Sequence, residues 1–217
     1  MLARVVGGLG AAAAALLGWG WFEAGWVRLR TLDVQVPGLP QDLDGLRVTH
    51  LSDFHLGVPS GSARAVESAV AWVEERRPDL VLVTGDLLTH PRGEPRLRQL
   101  LERLGPATYA VLGNHDFGDA RDPLAAPSRL DDLSPAHLLR DDSVELVLAG
   151  HLHDGQIAIP YGRGKMRLAH FDWRYTKGLY RRDGSVLHVS PGLGTTFVPF
   201  RFFARPEATE LVLRRAT

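Results

Sequence analysis

Cysteine is missing altogether from the 217 residues of this chain. Its absence excludes a disulfide framework, thiolate zinc sites, iron–sulfur clusters and a cysteine nucleophile. Any metal must therefore be held by His, Asp, Glu or Asn. Net charge is missing as well, since 25 Lys and Arg balance 25 Asp and Glu, and no nucleic-acid partner or polybasic membrane surface is expected from such a balance. No internal repeat occurs, and the one low-complexity run is rich in Ala. What remains is ordinary: 45% hydrophobic, 23% charged and 8% aromatic residues, the composition of a globular protein that can bury a sizeable core. The length suits one domain with a short appendage and not two full domains.

The appendage is at the amino-terminal end. Residues 5–22, VVGGLGAAAAALLGWGWF, carry no charge and lie between Arg4 and Glu23, a run nearly long enough to span a hydrocarbon core. Trp19, Trp21, Phe22 and Trp26 gather at one end, where amphipathic rings favour the headgroup level. The expectation is a membrane anchor over residues 1–27 and a globular domain over residues 28–217. A cleaved signal peptide is the competing reading, set back by the lack of a small-x-small cleavage site after the apolar run. Arg4 on one side and Arg28 and Arg30 on the other leave the orientation open.

Beyond residue 27 the pattern alternates short β-like runs with helical ones, the signature of an α/β or layered α+β domain. Strands are expected at 30–36, 46–51, 79–84, 108–112 and 144–149, with shorter ones at 166–169, 186–189 and 210–213. Residues 62–77 place Val66, Ala69, Val70 and Val73 at helical spacing, with Ser62 as cap and Pro78 as stop. Residues 94–104 form a second helix closed by Gly105 and Pro106. The run at 79–84 is continuously apolar, as in a strand buried on both faces. Residues 117–135, rich in Asp, Pro and Ala, read as a loop of unusual length.

Four expected strands end in polar clusters: SDFH at 52–55, TGD at 84–86, LGNHD at 112–116 and AGHLH at 149–153. In a layered α/β sheet the loops beyond the strand ends share one crevice, so these clusters can converge. Asp53 and His55 are two apart, as are His151 and His153, and in extended chain such residues project to the same side. The set, with Asp86, Asn114, His115 and Asp116, holds more donors than one ion needs and suits Mn, Fe or Zn. Glycines 85, 113 and 150 allow tight turns directly after the strands. Each piece alone reads as a surface turn or a hydrogen-bonded pair. All four in order, each at a strand end, read as a site for two metal ions. His50, His90, His170 and His188 fall within strands or loops and are read as core or surface residues.

The motifs SDFHLG, TGDLL, LGNHDF and AGHLHDGQ resemble, in that order, the pattern of the calcineurin-like metallophosphoesterase superfamily. The apolar amino terminus, LDGLRVTHLSDFHLG and the tail GLGTTFVPFRFFARPE are similar to its membrane-anchored bacterial branch, which includes UDP-2,3-diacylglucosamine hydrolases and related phosphodiesterases. The resemblance implies a four-layer α/β/β/α sandwich on the bacterial cytoplasmic membrane. It also implies hydrolysis of a phosphodiester or pyrophosphate bond, in a substrate that can be lipid- or nucleotide-linked. Carried over by position, Asp53, His55 and His153 bind the first ion, Asp86 bridges both, and Asn114 and His151 bind the second. A metal-bridging hydroxide attacks, His115 protonates the leaving group, and Asp116 orients the His115 ring.

The pattern breaks in one place. Only residues 117–149 separate Asp116 from Gly150, considerably fewer than the family usually has, and the further His before a Pro that completes the second ion's shell is missing. Leu133 stands where the resemblance puts it, and residues 117–143 look shortened by an internal deletion that removes core strand as well as ligand. His137 is a conceivable substitute, although DLSPAHLLRDD reads as helical. Two readings stay open: a phosphoesterase with a weakened second site, and a metal-binding homologue without turnover.

Overall fold

The computed structural model of the chain describes residues 2–105, 107–119, 121–128, 130–139, 146–162, 164–169, 174–182 and 185–216. Its frame is a six-stranded sheet built from β1 (Arg28–Val36), β2 (Arg47–Ser52), β3 (Leu80–Thr84), β4 (Thr108–Val111), β5 (His137–Leu138) and β11 (Glu207–Arg215), in the order β1-β11-β2-β3-β4-β5. Strands β2 to β5 run parallel to one another, and β11 is antiparallel to β2. Helices α2 (Ser62–Arg76) and α3 (Glu94–Leu104) are the crossovers between β2, β3 and β4, as parallel neighbours require.

The two helices cover one face of this sheet. Val66, Val70 and Val73 of α2 and Leu97, Leu100, Leu101 and Leu104 of α3, recurring at helical spacing, pack with Leu51, Val81 and Val83. Arg77 takes the left-handed conformation that ends α2, ahead of Pro78, which cannot continue it. The other face packs on a second sheet of β6 (Leu146–Ala149), β10 (Ser185–Val189) and β9 (Gly178–Arg182), where Val48, Leu211 and Leu213 meet Val186. Strand β3 is covered on both faces, Val81 and Val83 toward the helices and Leu80 and Leu82 toward the second sheet.

The mixed α/β class expected from the alternating pattern is thus the one observed. Among the described residues the layers are helix, sheet and sheet, with no helical layer outside the second sheet. The segment expected to be helical around His137 instead supplies the short edge strand β5, paired to Tyr109 and Ala110. Residues 140–145, including the start of the strand expected at 144–149, lie outside the described residues, as does His170. Strand β8 (Gly164–Arg167) overlaps the strand expected at 166–169 and starts earlier, whereas its hairpin partner β7 (Ala158–Tyr161) and strand β9 were not expected; runs such as AIPY and GLYRR lack the apolar alternation that marks a strand. Among the described residues β5, inside the shortened segment, and β6, just after it, are each an edge strand of their sheet. Val111 and Val147 beside them are 39% and 48% exposed, as expected where sheet edges lose their cover.

Between the sheets His50 and His188 face each other with their Nδ1 atoms 2.8 Å apart, and His50 Nε2 lies 2.8 Å from Thr84 Oγ1. Burial holds the His50 pKa well below its ordinary value and, with a smaller contribution from Arg30, lowers that of His188 to about 4. In the unfolded chain both rings gain protons near pH 6.5, whereas in the folded protein His188 stays neutral down to about 4. Its contribution to stability is therefore present above pH 6.5 and lost as pH falls from 6.5 to 4, by at most about 3 kcal/mol. Urea unfolding of His188→Gln across this window should show a shallower acid slope than the parent; equal slopes would contradict the assignment.

Helix α1 (Leu2–Ala24) contains one stretch, Arg4–Ala24, long and apolar enough to cross a membrane. Its last turn docks on the domain. The Gly20 carbonyl accepts from Arg201 N at 3.0 Å, and Glu23 Oε1 accepts from Ala204 N at 2.9 Å.

Candidate metal centre

The parallel strands β2, β3 and β4 all point their carboxyl ends the same way, and the turns that follow them carry Asp53 and His55, Asp86, and Asn114, His115 and Asp116. The turn after β6 adds His151 and His153. Sharp reversals are required to aim these side chains inward. Asp53, His55, Asp86, His151 and His153 all have positive φ, between 47° and 77°, a region that costs a non-glycine residue about 1–3 kcal/mol and that clusters at functional sites. Close packing of backbones completes the turn set. A Cβ on Gly150 would come within 1.9 Å of Ser52 Oγ and 2.2 Å of Asp53 Oδ2. Gly150→Ala is therefore expected to displace Asp53 and abolish metal uptake, and retention of full metal content would show that the turn can relax.

The inward side chains form one buried group. His55 Nε2 lies 3.1 Å from His153 Nε2 and 3.8 Å from Asp86 Oδ2, and His153 Nε2 lies 3.5 Å from Asp53 Oδ1. Two overlapping triads have donor atoms close enough to share an ion, Asp53 with His55 and His153, and His55 with Asp86 and His115. His151, on the rim and more exposed, brings Nδ1 to 4.0 Å from Asp86 Oδ2, so that this carboxylate faces a histidine of each expected site. Asn114 donates from Nδ2 to the Asp119 carbonyl at 3.3 Å, which leaves its amide oxygen as the atom that could take a metal.

Hydrogen bonds behind the cluster hold it in place. Asp53 accepts from the His151 backbone N–H at 2.9 Å and from the Ser52 hydroxyl. His55 Nδ1 lies 3.1 Å from Thr89 Oγ1, and the His115 N–H donates to Asp86 Oδ1 at 3.0 Å. Arg201, fully buried, donates to His153 Nδ1 at 2.9 Å and to the carbonyls of Pro191, Gly194 and Ala204. Sequence reading missed Arg201, Ser52 and Thr89. The one available signal was a lone cation in the apolar stretch TTFVPFRFFA. Asp116 departs from its expected duty: its carboxylate accepts from the N–H groups of Leu87, Leu88 and Gly113, tying the β3 and β4 turns together, and His115 Nδ1 is buried with no hydrogen-bond partner. His137 is not a substitute ligand; it stacks on Tyr109 with centroids 4.9 Å apart. Leu133 is buried in the helix-side core with Leu130 and Ala136.

The electrostatics fit a cation. Burial, and next the facing Asp86, push the Asp53 carboxyl up to about 7, the behaviour of a buried acid held beside another. Asp86 would also be raised by burial, but its hydrogen bond with His151 and the His55 ring hold it below the usual range. Burial lowers His55 to about 3 despite Asp86 and drives His153 well down too, so both rings are neutral with lone pairs to offer. Buried neutral imidazoles and carboxylates within 4 Å, with an orphaned His115 nitrogen beside them, are the donor set of a divalent metal site.

Comparison with known proteins agrees with this geometry. The profile of the calcineurin-like phosphoesterase family matches residues 46–135, the stretch from β2 through the turns that carry Asp53 to Asp116. Residues 46–135 thus carry a calcineurin-like metallophosphoesterase domain, and the homologues that match support a hydrolase. It is 27% identical to the uncharacterized metallophosphoesterase YkuE of Bacillus subtilis, over 81% of this chain and 82% of that protein. Identity is 25% to the phosphodiesterase YaeI of Escherichia coli, with 89% of each covered. A zebrafish transmembrane protein with metallophosphoesterase domain is 28% identical over 86% of this chain, which spans 58% of that relative. The YkuE alignment runs over 237 positions, more than this chain's 217 residues, so that metallophosphoesterase has segments that this chain lacks.

Proposed function

We propose that the protein is a membrane-anchored phosphodiesterase acting through two divalent ions, with the first held by Asp53, His55 and His153 and the second by Asp86, Asn114 and His151. The observation that carries this reading is the convergence of Asp53, His55, Asp86, His115 and His153, from four separate strand ends, into one buried group. When bound, two such ions would neutralise charge on the phosphoryl oxygens and supply the nucleophile from water at neutral pH. The chain's own residues do the rest. Asp86, facing His55 and His151, sits between the two sites and fixes their spacing. His115 holds the proton for the departing oxygen, its ring edge-on to His55 with centroids 4.5 Å apart. Asp116 keeps the turns of Asp86 and Asn114 in register, and Arg201 fixes the His153 ring. A cleft of about 560 Å³ beside His151, walled by Leu152, Leu187 and Val189 with Arg174 and Tyr175, takes the organic part of the substrate. Its apolar walls and the candidate membrane helix favour a lipid-linked diester.

One observation favours a second reading, a metal-binding homologue without turnover: Leu133 lies in the core where a further second-site His is expected. A single assay separates the two. The full chain in detergent, loaded with Mn, should hydrolyse an aryl phosphodiester and lose that activity to a chelator. A chain holding two ions with no turnover is the second reading.

A further inference from the structure

We propose that a cationic cavity at the foot of α1 binds the headgroup phosphate of an anionic phospholipid. The cavity, about 220 Å³, is lined by Arg28, Lys165, Lys177 and Arg205 together with Trp19 and Trp26. None of these belongs to the metal cluster. The inference rests on reading α1 as a membrane anchor.

Charge in the cavity is unbalanced. Among the described residues Glu23 is the single acid on its wall, and its oxygens are already engaged by Trp19 Nε1 at 3.1 Å and Ala204 N at 2.9 Å. Behind the wall, buried Asp154 takes Lys177 at 2.6 Å and Arg167 at 2.8 Å, with Lys165 only at 4.0 Å. Buried Glu207 is shared between Arg28 at 3.7 Å and Arg30 at 3.6 Å. Arg205 lies 3.6 Å above the Trp26 ring and gives one Nε and one Nη2 hydrogen to the carbonyls of Trp26 and Val27, two of the five donors of a guanidinium; among the described residues it makes no ion pair. Burial, and next the neighbouring Lys177, lower the Lys165 pKa, the mark of cations crowded together. The apolar span ends at Ala24, which sets this cavity where the span gives way to headgroups. Trp19 and Trp26 are the residues that prefer that level, and anionic headgroups attract cations there. A phosphodiester of glycerol, one negative charge with several acceptor oxygens, matches the surplus cations and the aromatic walls.

The test uses the full chain in detergent with short-chain phosphatidylglycerol, phosphatidylcholine and glycerol 3-phosphate as probes. The expected result is retention of phosphatidylglycerol over phosphatidylcholine by about tenfold, falling below about twofold in Arg205→Gln and in the Lys165→Gln/Arg205→Gln double variant, with metal content and hydrolysis unchanged as the check on folding. Equal retention of the two lipids, a preference untouched by both variants, or displacement by glycerol 3-phosphate as effective as by the lipid would overturn the proposal. Membrane fractionation separates its failure from that of the anchor: a soluble full chain removes both readings, whereas an inserted chain without lipid preference removes this one alone.

Discussion

Replacing Asp86 by Asn should lower kcat/KM by about a thousandfold, more than the loss of any other single ligand. The expectation follows from position: Asp86 Oδ2 faces His55 at 3.8 Å and His151 at 4.0 Å, so it is the carboxylate that can touch both ions. An amide keeps the shape but gives up the charge, and the electrostatic share of a metal site in stabilising the transition state is several kcal/mol, about 1.4 kcal/mol per factor of ten. Asn114→Ala removes a neutral, half-buried ligand of one site only and should cost much less. Metal content read beside the kinetics gives the second half of the test, with both ions weakened in Asp86→Asn and only one in Asn114→Ala. Equal losses in the two variants would remove the bridging role.

Arg201→Met is expected to be the most destabilising change at the centre. The guanidinium is fully buried and satisfies the carbonyls of Pro191 at 2.9 Å, Gly194 at 2.6 Å and Ala204 at 2.8 Å, besides His153 Nδ1 at 2.9 Å. Methionine fills the space but leaves those acceptors buried without donors, at about 1–3 kcal/mol each. The sum is on the order of 3–5 kcal/mol after relaxation, a large part of the roughly 5–15 kcal/mol that holds a domain together. Because the guanidinium also holds His153 Nδ1, the loss should loosen the first metal site, while the backbone N–H that docks on the Gly20 carbonyl of α1 is kept. Arg201→Lys keeps the charge but not the planar fork and should fall between. Urea unfolding with metal analysis reads both effects, and parent-like stability with full metal content in Arg201→Met would contradict this role.

The site was legible in the sequence to the extent that its chemistry is local. Asp53 with His55, and His151 with His153, are each two residues apart at the end of an apolar run, so strand, turn and ligand could be read from a few consecutive positions. The same holds for β3, whose unbroken LVLVT announces burial on both faces, and for α2 and α3, whose leucines and valines recur at helical spacing. What stayed hidden depends on contacts distant in sequence. Arg201 meets His153 across 48 residues, and His50 meets His188 across 138. The family resemblance gives Asp116 to its neighbour His115, yet its oxygens are taken by backbone N–H groups nearly thirty residues away as well as by nearby Gly113. The segment around His137 has a helical period but ends as the edge strand β5, where pairing with β4 outweighs a weak local preference. Leu133 shows both sides: its place in the motif order is readable, while its burial among Leu130 and Ala136 is a property of the folded core.

The proposed function requires side chains from these separate strand ends to grip two metal ions together. Anomalous scattering from crystals of the full chain grown with Mn tests it most directly. Two peaks are expected roughly 3.5–4 Å apart, one touching Asp53, His55 and His153 and the other Asn114 and His151, with Asp86 between them. No peak at these residues, or one ion with Asp86 turned away from it, would contradict it.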